Sequence, residues 1–380
     1  MYSFLNLLHF LLIIQPLVFA LQLLTTNNKT SIPNKILGVS MLVISFFYLI
    51  NADFLADNFS LIRYKQYFVY GILLGINPFY YLYTKSLTTE DYKFTLKEYY
   101  HFAPMLILEI LDLLVYLPSK PIILNPLLLN NMAAIAYNIQ VLAYSFLMVR
   151  FLIKHNVNLK NYFSFDEDIN LNWLKIFIVI YISISILDMS IFYSHSESLK
   201  LFYYLLMIFF FNFLGYYGIK QREIYTKEKK QSIPTEKNFI EQETVQEKEN
   251  FVEDNNKINV ETKVDKRKQS LMEEINNLMT EDKIFLNTKL TIFDISDKLN
   301  VNKTYISNAI NEIQQDNFSN YINKFRIEEA KIIILDPKFD NYTFEAIANS
   351  VGFNSKASFN SAFKKFTSLT PSVYKKNKLS

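Results

Sequence analysis

A helix must keep about 20 residues apolar to cross some 30 Å of hydrocarbon, and the first 219 residues supply seven such windows in series. They run over residues 4–24, 36–55, 67–83, 99–117, 127–151, 173–193 and 199–219, with short polar loops between them. One window alone would fit a buried helix of a soluble core. Seven in a row predict an all-α, seven-helix transmembrane bundle over residues 1–219. The first window reads as a span and not a signal peptide, because no basic stretch precedes it and no small-residue cleavage site follows it.

The distribution of charge divides the chain at the same place. Residues 1–219 hold 13 Lys/Arg and 12 Asp/Glu out of totals of 39 and 36, so two thirds of all charge lies in the remainder. Cytoplasmic loops carry the excess of Lys and Arg. With the C-terminus inside, the inner loops hold Lys29, Lys35, Lys85, Lys93, Lys97, Arg150, Lys154, Lys160 and Lys175, and the outer loops only Arg63, Lys65, Lys120 and Lys200. Nine against four predicts an N-terminus outside and a C-terminus inside, as a multi-pass protein of the bacterial cytoplasmic membrane.

Acidic groups within apolar windows are costly and are functional candidates by default. Glu109 and Asp112 share one helical face of the fourth window, and Asp188 lies toward the end of the sixth. Three readings stand open for them: a pocket for a cationic or hydrogen-bonding ligand, a proton-titrating site, or polar glue between helices.

Enzyme classes are poorly served by this composition. With no cysteine there is no disulfide framework, thiolate zinc site, iron–sulfur cluster or thiol nucleophile. Six glycines leave no Walker, G-x-G-x-x-G or G-x-S-x-G loop, and the four histidines have no i,i+4 pairing for a metal. A non-enzyme without metal or cofactor is expected.

Residues 220–268 hold 12 basic and 11 acidic residues with few apolar anchors, the composition of a charged cytoplasmic linker that cannot bury a core. Helical periodicity of a soluble kind begins near Ser270. Thr291, with Asp294 three residues on, starts a helix with Ile292, Ile295 and Leu299 facing inward; Asn300 to Asn302 make a turn, and Asn302 caps a second helix with Ile306 and Ile310 inward. This is a helix-turn-helix pattern. It recurs after a connecting helix over residues 318–335: Thr343 caps a helix, Gly352 supplies the turn, and Asn354 or Ser355 caps the next, with Ile347, Ala348, Val351, Phe353, Phe359 and Phe363 buried. Residues 269–380 are thus expected to form two helix-turn-helix units joined by a connecting helix.

The segments LTIFDISDKLNVNKTYIS (290–307), NYINKFRIEEAK (320–331) and FEAIANSVGFNSKASFNSAFKKF (344–366), followed by TPSVY (370–374), resemble the DNA-binding domain of AraC/XylS-type transcription regulators. The resemblance covers residues 270–376; residues 1–219 are similar only in architecture to the membrane-anchored members. Where that family carries glycine, this chain has Asp316 or Asn317 and Ser368, and Ile310 replaces an aromatic. The resemblance implies base-facing positions at Thr304, Ser307 and Asn308 in the first unit, and at Lys356, Ala357, Asn360 and Ser361 in the second. Lys303, Lys364, Lys365 and Lys375 are the expected phosphate contacts, which position without specifying. Implied partners are double-stranded DNA, the lipid bilayer, a small-molecule or membrane-protein signal, RNA polymerase for an activator, and a second copy in a homodimer.

The function expected from all this is a membrane-integral, sequence-specific DNA-binding regulator that couples a membrane or periplasmic signal to a promoter. Two alternatives remain: a passive anchor whose regulator is released by proteolysis of the linker, and a transporter or membrane enzyme with a fused regulator.

Overall fold

The computed structural model describes residues 2–25, 32–52, 65–89, 92–116, 126–165, 170–194, 196–221 and 257–379, and among them every regular element is a helix. They form two compact units, Met1–His155 with Leu171–Tyr225, and Asn156–Asn170 with Thr226–Ser380. Most of the expected linker, residues 222–256, lies outside the described residues.

In the first unit, helices stand at all seven apolar windows: α1 (Tyr2–Thr25), α2 (Ile32–Ile50), α3 (Lys65–Thr88), the short α4 (Leu96–Tyr99) leading through a 3-10 turn into α5 (Ala103–Tyr116), α6 (Pro126–Tyr162), α7 (Asn172–Ser194) and α8 (Glu197–Lys220). Among the described residues five of them, α1, α2, α6, α7 and α8, are long and apolar enough to cross a membrane. The other two fall short for visible reasons. At 14 residues α5 is about 21 Å long by itself, and the apolarity of α3 is diluted by Asn77, Pro78, Tyr70, Tyr80, Tyr81, Tyr83 and Lys85.

The packing of this unit is inverted relative to a soluble bundle. Outward positions of α1 are Phe4, Leu7, Phe10, Leu11, Val18 and Leu21, while His9 is buried and bonds the Tyr48 carbonyl at 2.8 Å and the Tyr204 hydroxyl at 3.1 Å. Asn77 is likewise buried: its amide donates to Gln140 Oε1 (2.8 Å) and its oxygen accepts from the Tyr181 hydroxyl (2.5 Å). Asn138 Oδ1 accepts from Ser185 Oγ (2.6 Å). These buried groups thereby recover hydrogen bonds that burial removes.

The second unit has two cores that share one helix. It contains α9 (Lys257–Thr280), α10 (Ile292–Leu299), α11 (Lys303–Gln314), α12 (Phe318–Leu335), α13 (Phe344–Ser350), α14 (Lys356–Thr367) and α15 (Pro371–Leu379). The first core joins Leu271, Ile275 and Met279 of α9 to Ile292, Ile295, Ile306 and Ile310, and takes Phe318, Tyr321 and Ile322 from α12. The second joins Ile347, Val351, Phe353, Phe359 and Phe363 to Ile327, Ala330 and Ile334 from the remainder of α12. Burial also raises the Tyr321 phenol, whose hydroxyl donates to Asn276 Oδ1 at 2.7 Å.

The helix ends follow from local side-chain chemistry. Thr291 and Asp294 form a reciprocal capping box at the start of α10, and Asn302, Asn317, Thr343 and Ser355 each accept a backbone N–H at a helix start. Where a glycine was expected, non-glycine residues hold left-handed backbone: Gln315 (φ 54°), one residue before the expected Asp316 or Asn317, and Ser368 (φ 63°). Such residues cost about 1–2 kcal/mol. Ser368→Gly should therefore stabilise α14 by about 0.5–1 kcal/mol after the added freedom of the unfolded chain is subtracted. Amide exchange of α14 in the full-length protein checks this, and unchanged or faster exchange would count against it.

Candidate nucleic-acid interface

The turn of each helix-turn-helix is set by one residue in the left-handed region. Asn300 (φ 54°) ends α10 and sends the chain into α11; Gly352 (φ 95°) does so between α13 and α14. α11 and α14 each bury one face in a core, through Ile306, Ala309 and Ile310 in one and Phe359, Ala362 and Phe363 in the other. Their opposite faces carry the residues expected to meet DNA.

On α11, Thr304 and Asn308 are exposed, whereas Ser307 is 5% exposed and belongs to the packed face. The hydroxyl of Ser307 is thereby withdrawn from any groove that α11 would enter in this conformation. On α14, Lys356, Ala357 and Ser361 are exposed and Asn360 is half-buried. The two heads therefore differ: one presents a threonine and an asparagine, the other a longer row beginning with a lysine at the first helical position.

The four lysines expected at phosphates are differently placed. Lys364 and Lys365 lie exposed in the last turn of α14. The Lys303 ammonium stands over two rings, 4.8 Å from the centre of Phe293 and 5.6 Å from that of Tyr162. Lys375 is 2.8 Å from an Asp340 carboxylate oxygen, an exposed pair worth little in solution that a phosphate can displace.

Between the heads sits a residue that the motif reading passed over. Arg326 of α12 is 1% exposed. Its Nε donates to the Phe285 carbonyl (2.7 Å), its Nη2 to the Asn287 carbonyl (2.7 Å) and Ser164 Oγ (3.0 Å), and its Nη1 to the Ser164 carbonyl (3.2 Å). The guanidinium lies 5.5 Å from the centre of the Phe353 ring. A planar cation with five donors can hold several carbonyls at once, which an ammonium cannot. The signal in the sequence was its rarity, one of five arginines against 34 lysines.

In the first unit, Glu109 packs against Gly71 of α3, and Asp188 is within electrostatic reach of Tyr70 and Tyr203. The side chain of Asp112 lies outside the described residues. No group of three or more His, Cys, Asp or Glu suited to a metal occurs among the described residues.

Residues 295–377 match the family described as "Helix-turn-helix domain". The chain is similar to the Msm operon regulatory protein of Streptococcus mutans, at 28% identity over 89 residues, which make up 23% of this chain and 31% of that protein. It is similar to the raffinose operon transcriptional regulatory protein RafR of Pediococcus pentosaceus, at 29% identity over 91 residues, 24% of this chain and 32% of that one. The chain thus spans about a third of the length of these relatives. Among solved structures it resembles the C-terminal domain of AraT, a response regulator from Geobacillus stearothermophilus, at 25% identity and a TM-score of 0.24, covering 30% of this chain and 84% of that one. The C-terminal part of the chain carries a helix-turn-helix domain of the AraC type.

Proposed function

We propose that the protein is a membrane-integral transcription regulator whose C-terminal domain reads double-stranded DNA. The observation that carries this reading is the pair of helix-turn-helix heads built on the single helix α12, each with one face of its second helix free of the core. α12 has 18 residues, about 27 Å, a strut of the size needed to serve successive major grooves about 34 Å apart. Thr304 and Asn308 of the first head and Lys356, Ala357, Asn360 and Ser361 of the second are assigned to base edges. Asn suits adenine and Lys suits guanine.

Membrane integration rests on the inverted packing of the first unit, with apolar side chains outward and bonded polar groups within, since exposed apolar faces of this extent mark a lipid or protein interface. We assign seven spans. α4, the 3-10 turn and α5 follow one another over residues 96–116, about 30 Å at helical rise. The N-terminus is outside, the DNA-binding domain is in the cytoplasm, and the region of Glu109, Asp112 and Asp188 is assigned to the signal. A signal acts here only by binding two states of the protein with different affinity.

Chromatin immunoprecipitation with sequencing of the tagged full-length protein, beside an Asn308→Ala/Lys356→Ala variant, tests the reading. Discrete peaks that vanish in the variant are expected; peaks unchanged by it would reject these readers. At a recovered site, Lys364→Ala should weaken binding evenly across sequences and reduce the salt slope by about 0.9 for the one lost phosphate contact. An unaltered slope removes Lys364 from the interface.

A further inference from the structure

We infer that residues 159–165, the end of α6 and the start of its connection to α7, form a built-in strap that docks on the DNA-binding domain and must leave before DNA is bound. The inference rests on the DNA-reading role proposed above. A connection between two apolar helices has no need to bury its side chains, yet Phe163 is 2% and Ser164 4% exposed. Both belong with the C-terminal unit. Phe163 forms an antiparallel bridge with Thr291, the cap of α10. Ser164 donates to the Leu290 carbonyl from its backbone N–H (3.2 Å) and from its hydroxyl (2.7 Å). Its own carbonyl and hydroxyl oxygens accept from Arg326 at 3.2 and 3.0 Å. Four hydrogen bonds on one serine, in a segment remote in sequence from all its partners, describe a fitted ligand.

The strap sits where DNA has to come. Tyr162 lies against Lys303, an expected phosphate contact. A cavity of about 300 Å³ has Leu159, Phe163 and Phe165 on one side and Ser358, Ser361 and Lys365 of α14 on the other. Ser361 and Lys365 are assigned to a base edge and a phosphate. A recognition helix enters a groove about 12 Å wide between two phosphate rails, and a rail held by Lys303 and Lys365 would run beside Tyr162, Phe163 and Leu159. The lysine distribution independently places residues 154–160 on the cytoplasmic side, with the DNA-binding domain. Because α6 is unbroken from Pro126 to Tyr162, a shift of α6 is a shift of the strap. Release of the strap is then how a signal reaches the promoter.

The absence of native cysteine makes a direct test available. Residues facing each other in an antiparallel bridge have Cα atoms about 4.5–5.5 Å apart, within disulfide reach. Full-length Phe163→Cys/Thr291→Cys protein in nanodiscs should therefore form an internal disulfide under mild oxidation, found by mass spectrometry. Its affinity for a fluorescein-labelled 40-bp random-sequence duplex at low salt should fall at least tenfold on oxidation and return with dithiothreitol. The single variants, which report on folding, should ignore the oxidant. Phe163→Asp, which undocks the strap without a cross-link, should bind the duplex several-fold more tightly than wild type. Failure of the pair to cross-link while the single variants melt normally overturns the docking. A disulfide that leaves affinity unchanged overturns the exclusion of DNA. Absence of DNA binding in every reduced form overturns the underlying DNA-reading role, and is told apart because the disulfide then still forms.

Discussion

Replacing Arg326 by alanine is expected to cost the C-terminal unit about 3–5 kcal/mol, a large fraction of the roughly 5–15 kcal/mol that stabilises an ordinary domain. The guanidinium, 1% exposed, joins the Phe285 and Asn287 carbonyls to Ser164. Truncation leaves the Phe285 and Ser164 carbonyls without this donor, at about 1–3 kcal/mol each, reduced by whatever water enters the space, while the Asn287 carbonyl keeps the Leu290 N–H. It also uncouples the two cores, because Arg326 lies on α12 between Ile322 of the first and Ile327 of the second. Arg326→Lys should recover only part of the loss, since one ammonium cannot reach carbonyls spread around a planar fork. Amide exchange of α12 in the full-length protein reads the effect. A loss below about 1 kcal/mol would mean that the cores are held by apolar packing alone and that the arginine is dispensable.

What the sequence made legible is what depends on near neighbours. The apolar windows became helices because length and apolarity decide that locally, and the caps at Thr291, Asn302 and Thr343 formed because each serves an N–H two or three residues ahead. Ile306, Ile310, Phe359 and Phe363 went inward as helical periodicity requires. The features that escaped involve distant partners. Nothing around position 164 indicates that its oxygens will meet an arginine 162 residues away, and the polar residues 154–160 look like a loop although α6 continues to Tyr162. The left-handed residue before α12 fell on Gln315 and not on Asp316 or Asn317, because Asn317 is used as the cap of α12 and must be extended there. Ser307 shares a side of α11 with Ile306 and Ile310 and is packed away, a matter of helix rotation that a motif match does not fix. The first unit shows the same division: its helices were readable, while the Asn77–Gln140 and Asn77–Tyr181 bonds that tie three of them together were not.

Gly352→Ala should be nearly as damaging as the loss of Arg326, at about 3–4 kcal/mol, and for a related reason. The backbone there has φ 95°, a conformation that side chains rarely adopt and that costs about 1–3 kcal/mol when they do. A methyl group at this position would also stand 2.5 Å from the Phe285 carbonyl oxygen and 2.9 Å from Arg326 Nε. Those are the two atoms that bond each other at 2.7 Å. The alanine must therefore push apart the joint that Arg326 makes, in addition to straining its own turn. The two substitutions injure one structure, so their effects should not add: Arg326→Ala/Gly352→Ala should fall short of the sum of the single losses by at least about 1 kcal/mol, since contacting residues couple. Exchange of the α12 and α14 amides in the single and double variants supplies all four corners of the cycle. Strict additivity would show that Gly352 is required by its turn alone, and that the close approach of Arg326 to it contributes nothing to holding the second head in place.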